Sequence, residues 1–260
     1  MRTRNATTAA IAAIGVLALA ACSQSPAAGG SAPTTTQNQT ITVYAAASLT
    51  KTFTQLGKDY EQQHPGSTVR LTFGGSADLL TQLRNGAPGD VLATADEATM
   101  TKAVNAKLNG GEPQIFATNR LTIATAPGNP KRFTSLADLS RGSLVVCAPQ
   151  VPCGNATGKV ARAAGVTLKP VSEENSVTDV LGKVTGGQAD AGIVYRTDTK
   201  AAGDKVTSVD FPQADQVLNR YPIVVLASST APGPAKDFTD SIRGPRGQQV
   251  LADAGFGAGQ

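Results

Sequence analysis

The hydrophobic and polar positions of the chain follow two periods beyond its N-terminal region. Short apolar runs bounded by Gly, Pro or Asp predict buried strands, of which residues 41–44 form the first. The following stretch carries apolar residues at helical spacing, which predicts a helix with one apolar face made of Leu49, Phe53, Leu56 and Tyr60. Strands that alternate with helices in this way are typical of an α/β protein with largely parallel sheets.

The same pattern continues to the end of the chain. It predicts further strands over 69–73, 91–95, 121–126, 143–148, 193–195, 206–211 and 221–227. Asp96 is predicted to cap a helix, and residues 234–256 are predicted to form two short helices broken at Gly244-Pro245. A length of 260 residues corresponds to one large domain or two smaller lobes.

Three of the predicted strand-to-helix turns share one design of small residues. They are Ala47-Ser48, Gly75-Ser76 and Pro152-Cys153-Gly154. The first N–H groups of a helix have no partner inside the helix, and the helix dipole favours negative charge there. Small residues also let a ligand approach the backbone closely. The three turns therefore predict convergent donors for an anion.

Two further residues can add donors to this set. Val177 begins another predicted helix, and Tyr195 ends a predicted strand. Taken singly, Ser48 would be interpreted as a helix cap, Val177 as a core residue and Tyr195 as a buried strand aromatic. As a set, Ser48, Ser76, Cys153, Val177 and Tyr195 contain no charged residue, so they offer hydrogen-bond donors and no carboxylate acceptor. Such a site suits a fully deprotonated oxyanion, whereas phosphate keeps a proton at neutral pH and needs an acceptor.

The N-terminal residues have the pattern of an export signal. Residues 1–21 combine Arg2 and Arg4 with an apolar stretch, and Leu19-Ala-Ala-Cys22 resembles the bacterial lipobox, in which the Cys is lipidated. We therefore predict a signal peptide over 1–21, lipidation of Cys22, and a flexible tether over 22–39 that is rich in Ser, Ala, Gly, Thr and Gln. A plain secretory signal with an incidental Cys is the alternative.

Composition narrows the classes of partner. The formal net charge is +4, spread without a basic run, which argues against binding to nucleic acid. Aromatic residues make up 4% of the chain and Trp is absent, so nothing indicates stacking of sugars or bases.

The chain resembles the periplasmic molybdate-binding proteins of ABC importers. The stretches that carry this resemblance are ITVYAAASLT, LTFGGSADLLTQL, GAPGDVLATAD, VPCGNA, ENSVTDVL, AGIVYRTD and RYPIVVLA, in this order. The resemblance implies an α/β, two-lobed type II periplasmic binding protein fold, with a mostly parallel sheet flanked by helices in each lobe and the ligand in the cleft between them. Lobe 1 would comprise 40–118 plus 220–260, and lobe 2 would comprise 119–219.

The resemblance also implies a site and partners. The oxyanion would be bound by the hydroxyls and N–H groups of Ser48 and Ser76, the N–H groups of Cys153 and Val177, and the hydroxyl of Tyr195. The ligand would be molybdate or tungstate, so no cofactor and no bare metal cation are expected. We expect a monomer, lipid-anchored to the outer face of the cytoplasmic membrane, that delivers the ion to the permease and ATPase of an ABC importer.

Three alternatives remain open at this stage. A binding protein for sulfate or another tetrahedral oxyanion is the nearest, because sulfate differs from molybdate mainly in size. An enzyme that uses Cys147 or Cys153 is a second, although CAPQVPC lacks the spacing of a redox motif. A purely structural lipoprotein is the third, and it would leave the convergent turns unexplained.

Cys147 and Cys153 are candidates for a disulfide in an exported protein, with two packed thiols as the alternative.

Overall fold

The computed structural model describes residues 39–259. The predicted signal peptide, Cys22 and almost all of the predicted tether lie outside the described residues. Gln39, which the tether prediction includes, belongs instead to the first strand, where its N–H donates to the carbonyl of Gly66 at 3.1 Å. Within 39–259, every helix is too short or too polar to cross a bilayer.

The strands form two sheets. They are β1 (Gln39–Ala46), β2 (Ser67–Gly74), β3 (Val91–Ala93), β4 (Gln114–Asn119), β5 (Leu121–Thr125), β6 (Leu144–Cys147), β7 (Ser172–Glu174), β8 (Ala191–Tyr195), β9 (Thr207–Val209), β10 (Asn219–Val225) and β11 (Gly257–Ala258). One sheet has the order β11-β4-β10-β3-β1-β2, and the other has the order β7-β6-β8-β5-β9. The sequence pattern predicted most of these strands but missed β4, β7 and β11.

Each sheet is mixed rather than mostly parallel, which corrects the prediction. β1 pairs in parallel with β2 and β3, and β6 pairs in parallel with β7 and β8. β10 is antiparallel to β3 and β4, and β5 is antiparallel to β8 and β9. β5 and β10 are the strands with which the chain enters the second sheet and returns to the first. These two strands are antiparallel to their neighbours because the chain reaches them from the other sheet. A helical crossover within one sheet would have made them parallel.

The helices lie close to their predicted positions, except for one directly after Tyr195 that the sequence pattern missed. They are α1 (Thr50–Gln63), α2 (Ser76–Arg84), α3 (Glu97–Asn105), α4 (Pro152–Ala163), α5 (Val177–Thr185), α6 (Arg196–Ala202), α7 (Pro232–Arg243) and α8 (Pro245–Asp253). The predicted apolar face at the start of the domain, from Leu49 to Tyr60, is buried. Asp96 caps α3 as predicted, since its Oδ1 accepts from the N–H of Thr99 at 2.9 Å. The last two helices are separated at Gly244.

Each sheet has its own hydrophobic core, so the described chain forms two lobes as predicted. Phe53 and Phe238 lie in the core of the first lobe, built on the first sheet, whereas Ile123 and Val160 lie in that of the second. Ala47, which follows β1 in the first lobe, packs into the core of the second lobe. The turns that leave β1, β2, β6 and β7 at their carboxyl ends meet between the lobes, the usual location of a ligand in open α/β sheets.

Candidate functional site

A small cavity between the lobes is lined by all five residues that the sequence analysis selected. Its lining comprises Ala46, Ala47, Ser48, Gly74, Gly75, Ser76, Ala95, Val151, Pro152, Cys153, Asn175, Ser176, Val177 and Tyr195. No charged side chain occurs in this lining. The volume of the cavity that the centre of a water molecule can occupy is about 20 Å³. One buried water needs roughly 10–15 Å³ on this measure, so the cavity matches one small polyatomic ion rather than an organic solute.

Helix N-termini supply the backbone donors of the cavity. Ser76 and Val177 are the first residues of α2 and α5, and Cys153 is the second residue of α4, after Pro152. Ser48 lies in the 3-10 turn Ala47–Leu49 that runs directly into α1. N–H groups in such positions have no acceptor within their own helix, and the aligned peptide dipoles make these ends electropositive. Four helical segments therefore direct partial positive charge at one point without a cation.

Three of the hydroxyls that line the cavity, those of Ser48, Ser76 and Tyr195, have hydrogen-bond partners on the side away from it. Ser48 Oγ lies 2.9 Å from the hydroxyl of Tyr221, and Ser76 Oγ accepts from the N–H of Ala95 at 3.0 Å. The hydroxyl of Tyr195 accepts from Asn219 Nδ2 at 3.0 Å. Tyr221 and Asn219 were not predicted from the sequence. No local pattern identifies them, because each contributes through a contact with a residue distant in the sequence.

Burial keeps the tyrosine hydroxyls protonated. It raises the pKa of Tyr195 well above its ordinary value, and the nearby Tyr221, Asp96 and Asp198 raise it further. Burial also raises the pKa of Tyr221. Both groups therefore remain hydrogen-bond donors throughout the physiological pH range.

The cysteines form a bridge beneath one wall of the cavity. Cys147 at the end of β6 and Cys153 in the first turn of α4 are disulfide-bonded, with their Cα atoms 5.6 Å apart. The loop between them is tight: a Cβ on Gly154 would overlap the carbonyl oxygen of Ala148. The bridge constrains the segment that presents the Cys153 N–H, and bonded sulfurs are not the free thiolates that nucleophilic catalysis needs.

The two lobes touch at the rim of the cavity. A Cβ on Gly75 would overlap the carbonyl oxygen of Asn175, which belongs to the turn between β7 and α5. The backbone of Gly75 is extended, with φ −60° and ψ 133°, so the conformation itself does not require glycine. Glycine is needed here because the opposite lobe lies so close to its backbone. The contact between the lobes at this point means that the cleft is closed.

The fold and the small cavity between the lobes define a two-lobed binding protein of the type II class. A family model described as bacterial extracellular solute-binding protein matches residues 41–257, and the chain belongs to this family. It is therefore a solute-binding protein and not an enzyme.

Particular relatives agree with this assignment. The chain is 46% identical over 259 residues to the molybdate-binding protein ModA of Mycobacterium tuberculosis, covering 98% of this chain and 99% of that protein. The periplasmic molybdate-binding protein of Azotobacter vinelandii superposes with a TM-score of 0.74 at 24% identity, covering 85% of this chain and 100% of that one. The sulfate-binding protein SubI of M. tuberculosis superposes with a TM-score of 0.68 at 24% identity, covering 84% and 86%. The two structural likenesses show a shared fold.

Proposed function

We propose that this protein captures molybdate, and also tungstate, between its lobes and delivers the ion to the permease and ATPase of an ABC importer. The observation that carries the proposal is a small uncharged cavity on which helix N-termini and hydroxyls converge. The 46% identity to a mycobacterial molybdate-binding protein over almost the whole chain favours this ion. Closure of the lobes would replace the water around the ion by fixed dipoles, without chemical change.

In this proposal each of the five residues has one role. The hydroxyls and N–H groups of Ser48 and Ser76, the N–H groups of Cys153 and Val177, and the hydroxyl of Tyr195 donate to the four oxygens of the ion. Molybdenum enters as its oxyanion, so the ion is cargo and no resident cofactor takes part.

The direct test is calorimetric titration of the protein lacking residues 1–22 with molybdate, tungstate, sulfate and phosphate. We expect tight one-to-one binding of molybdate and tungstate, with much weaker binding of sulfate and phosphate. Bound ion should also raise the melting temperature, because a ligand that binds only the folded state stabilises it. Equal or tighter binding of sulfate would overturn the assignment to molybdate.

Sulfate is the second candidate, because the sulfate-binding protein SubI shares the fold with a TM-score of 0.68. Sulfate is also a tetrahedral dianion without a proton, so a donor-only cavity accepts it equally well in chemical terms. Discrimination would depend on cavity size, and the titration decides between the two ions.

The location at the membrane is part of the same proposal. Lipidation of Cys22 would place a monomeric protein at the outer face of the cytoplasmic membrane, beside the importer. Cells that express the full chain and its Cys22→Ser variant test this step. Membrane association and the mass of an acyl-modified N-terminus should be present in the first and absent in the second, and size-exclusion chromatography tests the monomer.

A further inference from the structure

Two buried asparagines lie directly behind the hydroxyls of the cavity. Asn119 ends β4 and Asn219 begins β10, and both side chains are almost entirely inaccessible to water. Neither residue lines the cavity. Their contacts decide which way the hydroxyl protons in front of them point.

The orientation of the Asn119 amide is fixed by its neighbours. Its Oδ1 accepts from the N–H of Arg120 at 2.9 Å, so its Nδ2 faces the other way. That Nδ2 donates to Thr197 Oγ1 at 2.8 Å and to the hydroxyl of Tyr221 at 3.4 Å. Tyr221 keeps its own proton when it accepts from Asn119, and we infer that it donates this proton to Ser48 Oγ, 2.9 Å away, a contact in which either oxygen could be the donor.

The orientation of the Asn219 amide is fixed by a carbonyl. Its Nδ2 lies 2.9 Å from the oxygen of Ala95, which can only accept, and 3.0 Å from the hydroxyl of Tyr195. In the flipped orientation two acceptors would face each other. Asn219 Oδ1 is buried without a hydrogen-bond partner among the described residues, so the contacts of Nδ2 alone hold this amide.

The same logic applies to the hydroxyls of Tyr195, Ser48 and Ser76. Tyr195 accepts from Asn219 and Ser76 accepts from the N–H of Ala95. In the inferred arrangement Ser48 accepts from Tyr221. A hydroxyl has one proton, and a donor placed behind its oxygen leaves that proton free for the opposite side. Each of these three residues lines the cavity, where that proton can be donated.

We propose that Asn119, acting through Tyr221, and Asn219 are positioning residues that keep the hydroxyls of Ser48 and Tyr195 as donors toward the bound anion. The selectivity for oxyanions without a proton would then be set outside the cavity. Hydrogen phosphate needs at least one acceptor. These residues engage one lone pair of each hydroxyl and so favour an orientation in which the proton, and not a lone pair, is directed at the anion. This inference rests on the proposed function, because it assumes that the anion occupies this cavity.

The test is a double-mutant cycle with Tyr221→Phe and Ser48→Ala. Tyr221→Phe keeps the buried ring and removes only the hydroxyl. We expect it to weaken molybdate binding by roughly 3- to 10-fold, the range for loss of one neutral hydrogen bond. It should also lower the ratio of molybdate to phosphate affinity, because the freed Ser48 hydroxyl can accept. In the Ser48→Ala background, Tyr221→Phe should have no further effect on either quantity.

Tyr60→Phe is the matched control. Tyr60 is also a buried tyrosine of the first lobe, but its hydroxyl donates to the carbonyl of Pro234 at 3.3 Å, away from the cavity. This variant should leave affinity and selectivity unchanged. A purely structural role of Tyr221 would instead give the same loss with and without the Ser48 hydroxyl, and that result, or no loss at all, would overturn the inference.

A second double-mutant cycle, with Asn219→Leu and Tyr195→Phe, tests the positioning role of Asn219. If Tyr221→Phe does not fold, this second cycle is the test of the inference. Asn219→Leu should lower affinity and the molybdate-to-phosphate ratio only while the Tyr195 hydroxyl is present. Equal losses in both backgrounds would overturn the role of Asn219. Titration of the unaltered protein separates the two proposals: failure to bind molybdate refutes the proposed function, whereas binding with additive cycles refutes only the positioning roles.

Discussion

Asn119 and Asn219 are directly opposite each other in the antiparallel pairing of β4 with β10. This pair is also the point at which the chain changes lobes, since β5 of the second sheet begins at Leu121 and β10 returns from that sheet. Asn219 reaches from the first lobe to the hydroxyl of Tyr195 in the second at 3.0 Å. A side chain at the crossing between the lobes therefore contacts a hydroxyl of the cavity.

Replacing Tyr195 with Phe should weaken anion binding and leave the fold intact. The substitution removes one donor to the ion and little volume. A hydrogen bond to a charged group is worth about 1.5–3 kcal/mol, which corresponds to a loss of roughly 10- to 100-fold in affinity for molybdate. Calorimetry checks the affinity, and thermal melting without ligand checks the fold. Unchanged affinity with unchanged melting would show that Tyr195 serves only the core.

Replacing Gly75 with Ala should prevent full closure of the lobes. The added methyl group would overlap the carbonyl oxygen of Asn175 in the closed cleft, whereas the extended backbone at Gly75 accepts alanine within its own lobe. We therefore expect at least a tenfold weaker affinity for molybdate, with little change in the melting temperature of the ligand-free protein. Small-angle scattering with saturating molybdate should give a larger radius of gyration than for the unaltered protein.

Gly111→Ala is the control for that experiment. Apart from its chain neighbours, no atom lies within 4 Å of a Cβ built on Gly111, and this residue does not line the cavity. Both variants replace glycine by alanine, so a shared effect on the unfolded chain cancels in the comparison. Equal affinities for the two variants would contradict the closed contact between Gly75 and Asn175.

Asp198 should make the stability of the protein depend on pH. Burial raises the pKa of this carboxyl from 3.8 to about 7, although the Tyr195 N–H that it accepts at 2.9 Å lowers it. Between these two pKa values the folded state binds more protons than the unfolded state. The free energy of unfolding should therefore fall as the pH rises from about 4 to about 7, and this loss should persist above pH 7.

Asp198→Asn isolates this contribution. Asparagine is uncharged and its Oδ1 can still accept from the Tyr195 N–H, so the variant avoids the burial of a carboxylate. Relative to the unaltered protein it should gain little stability near pH 4 and up to about 4 kcal/mol near pH 8. Urea unfolding of the ligand-free proteins at several pH values measures the difference. A gain that does not change with pH would contradict the raised pKa of Asp198.

Local sequence patterns located three of the turns that line the cavity, because each turn depends on consecutive residues. The turns at Ser48, Ser76 and Cys153 could be recognised since a strand, small residues and an amphipathic helix follow one another along the chain. The requirement for Gly75 could not, because it arises from Asn175 in the other lobe. Periodicity identifies strands but not the direction of their partners, so the mixed sheets were also missed.

The residues behind the cavity show the limit of sequence reasoning most clearly. Tyr221 contacts Ser48, which is 173 positions away, and Asn219 contacts Ala95, which is 124 positions away. Within the sequence Tyr221 is one apolar residue of a buried strand, and Asn219 precedes it as an ordinary turn residue. Their roles arise only from tertiary contacts, which a single sequence does not encode in any local pattern.

Reduction of the disulfide should weaken molybdate binding modestly without unfolding the protein. The bridge between Cys147 and Cys153 closes a short ring, for which chain entropy accounts for about 2–2.5 kcal/mol of stability. It also holds the first turn of α4, which presents the Cys153 N–H to the cavity. Without the bridge this turn must be ordered when the anion binds, and the ordering cost lowers affinity. We expect a few-fold loss of molybdate affinity on calorimetry after reduction, and the same loss for the Cys147→Ser/Cys153→Ser double variant.

Alkylation of unreduced protein followed by mass spectrometry checks the premise, because two modified thiols in this segment would rule the bridge out. An affinity that reduction leaves unchanged, with the bridge demonstrably broken, would show that packing around Gly154 alone holds the turn.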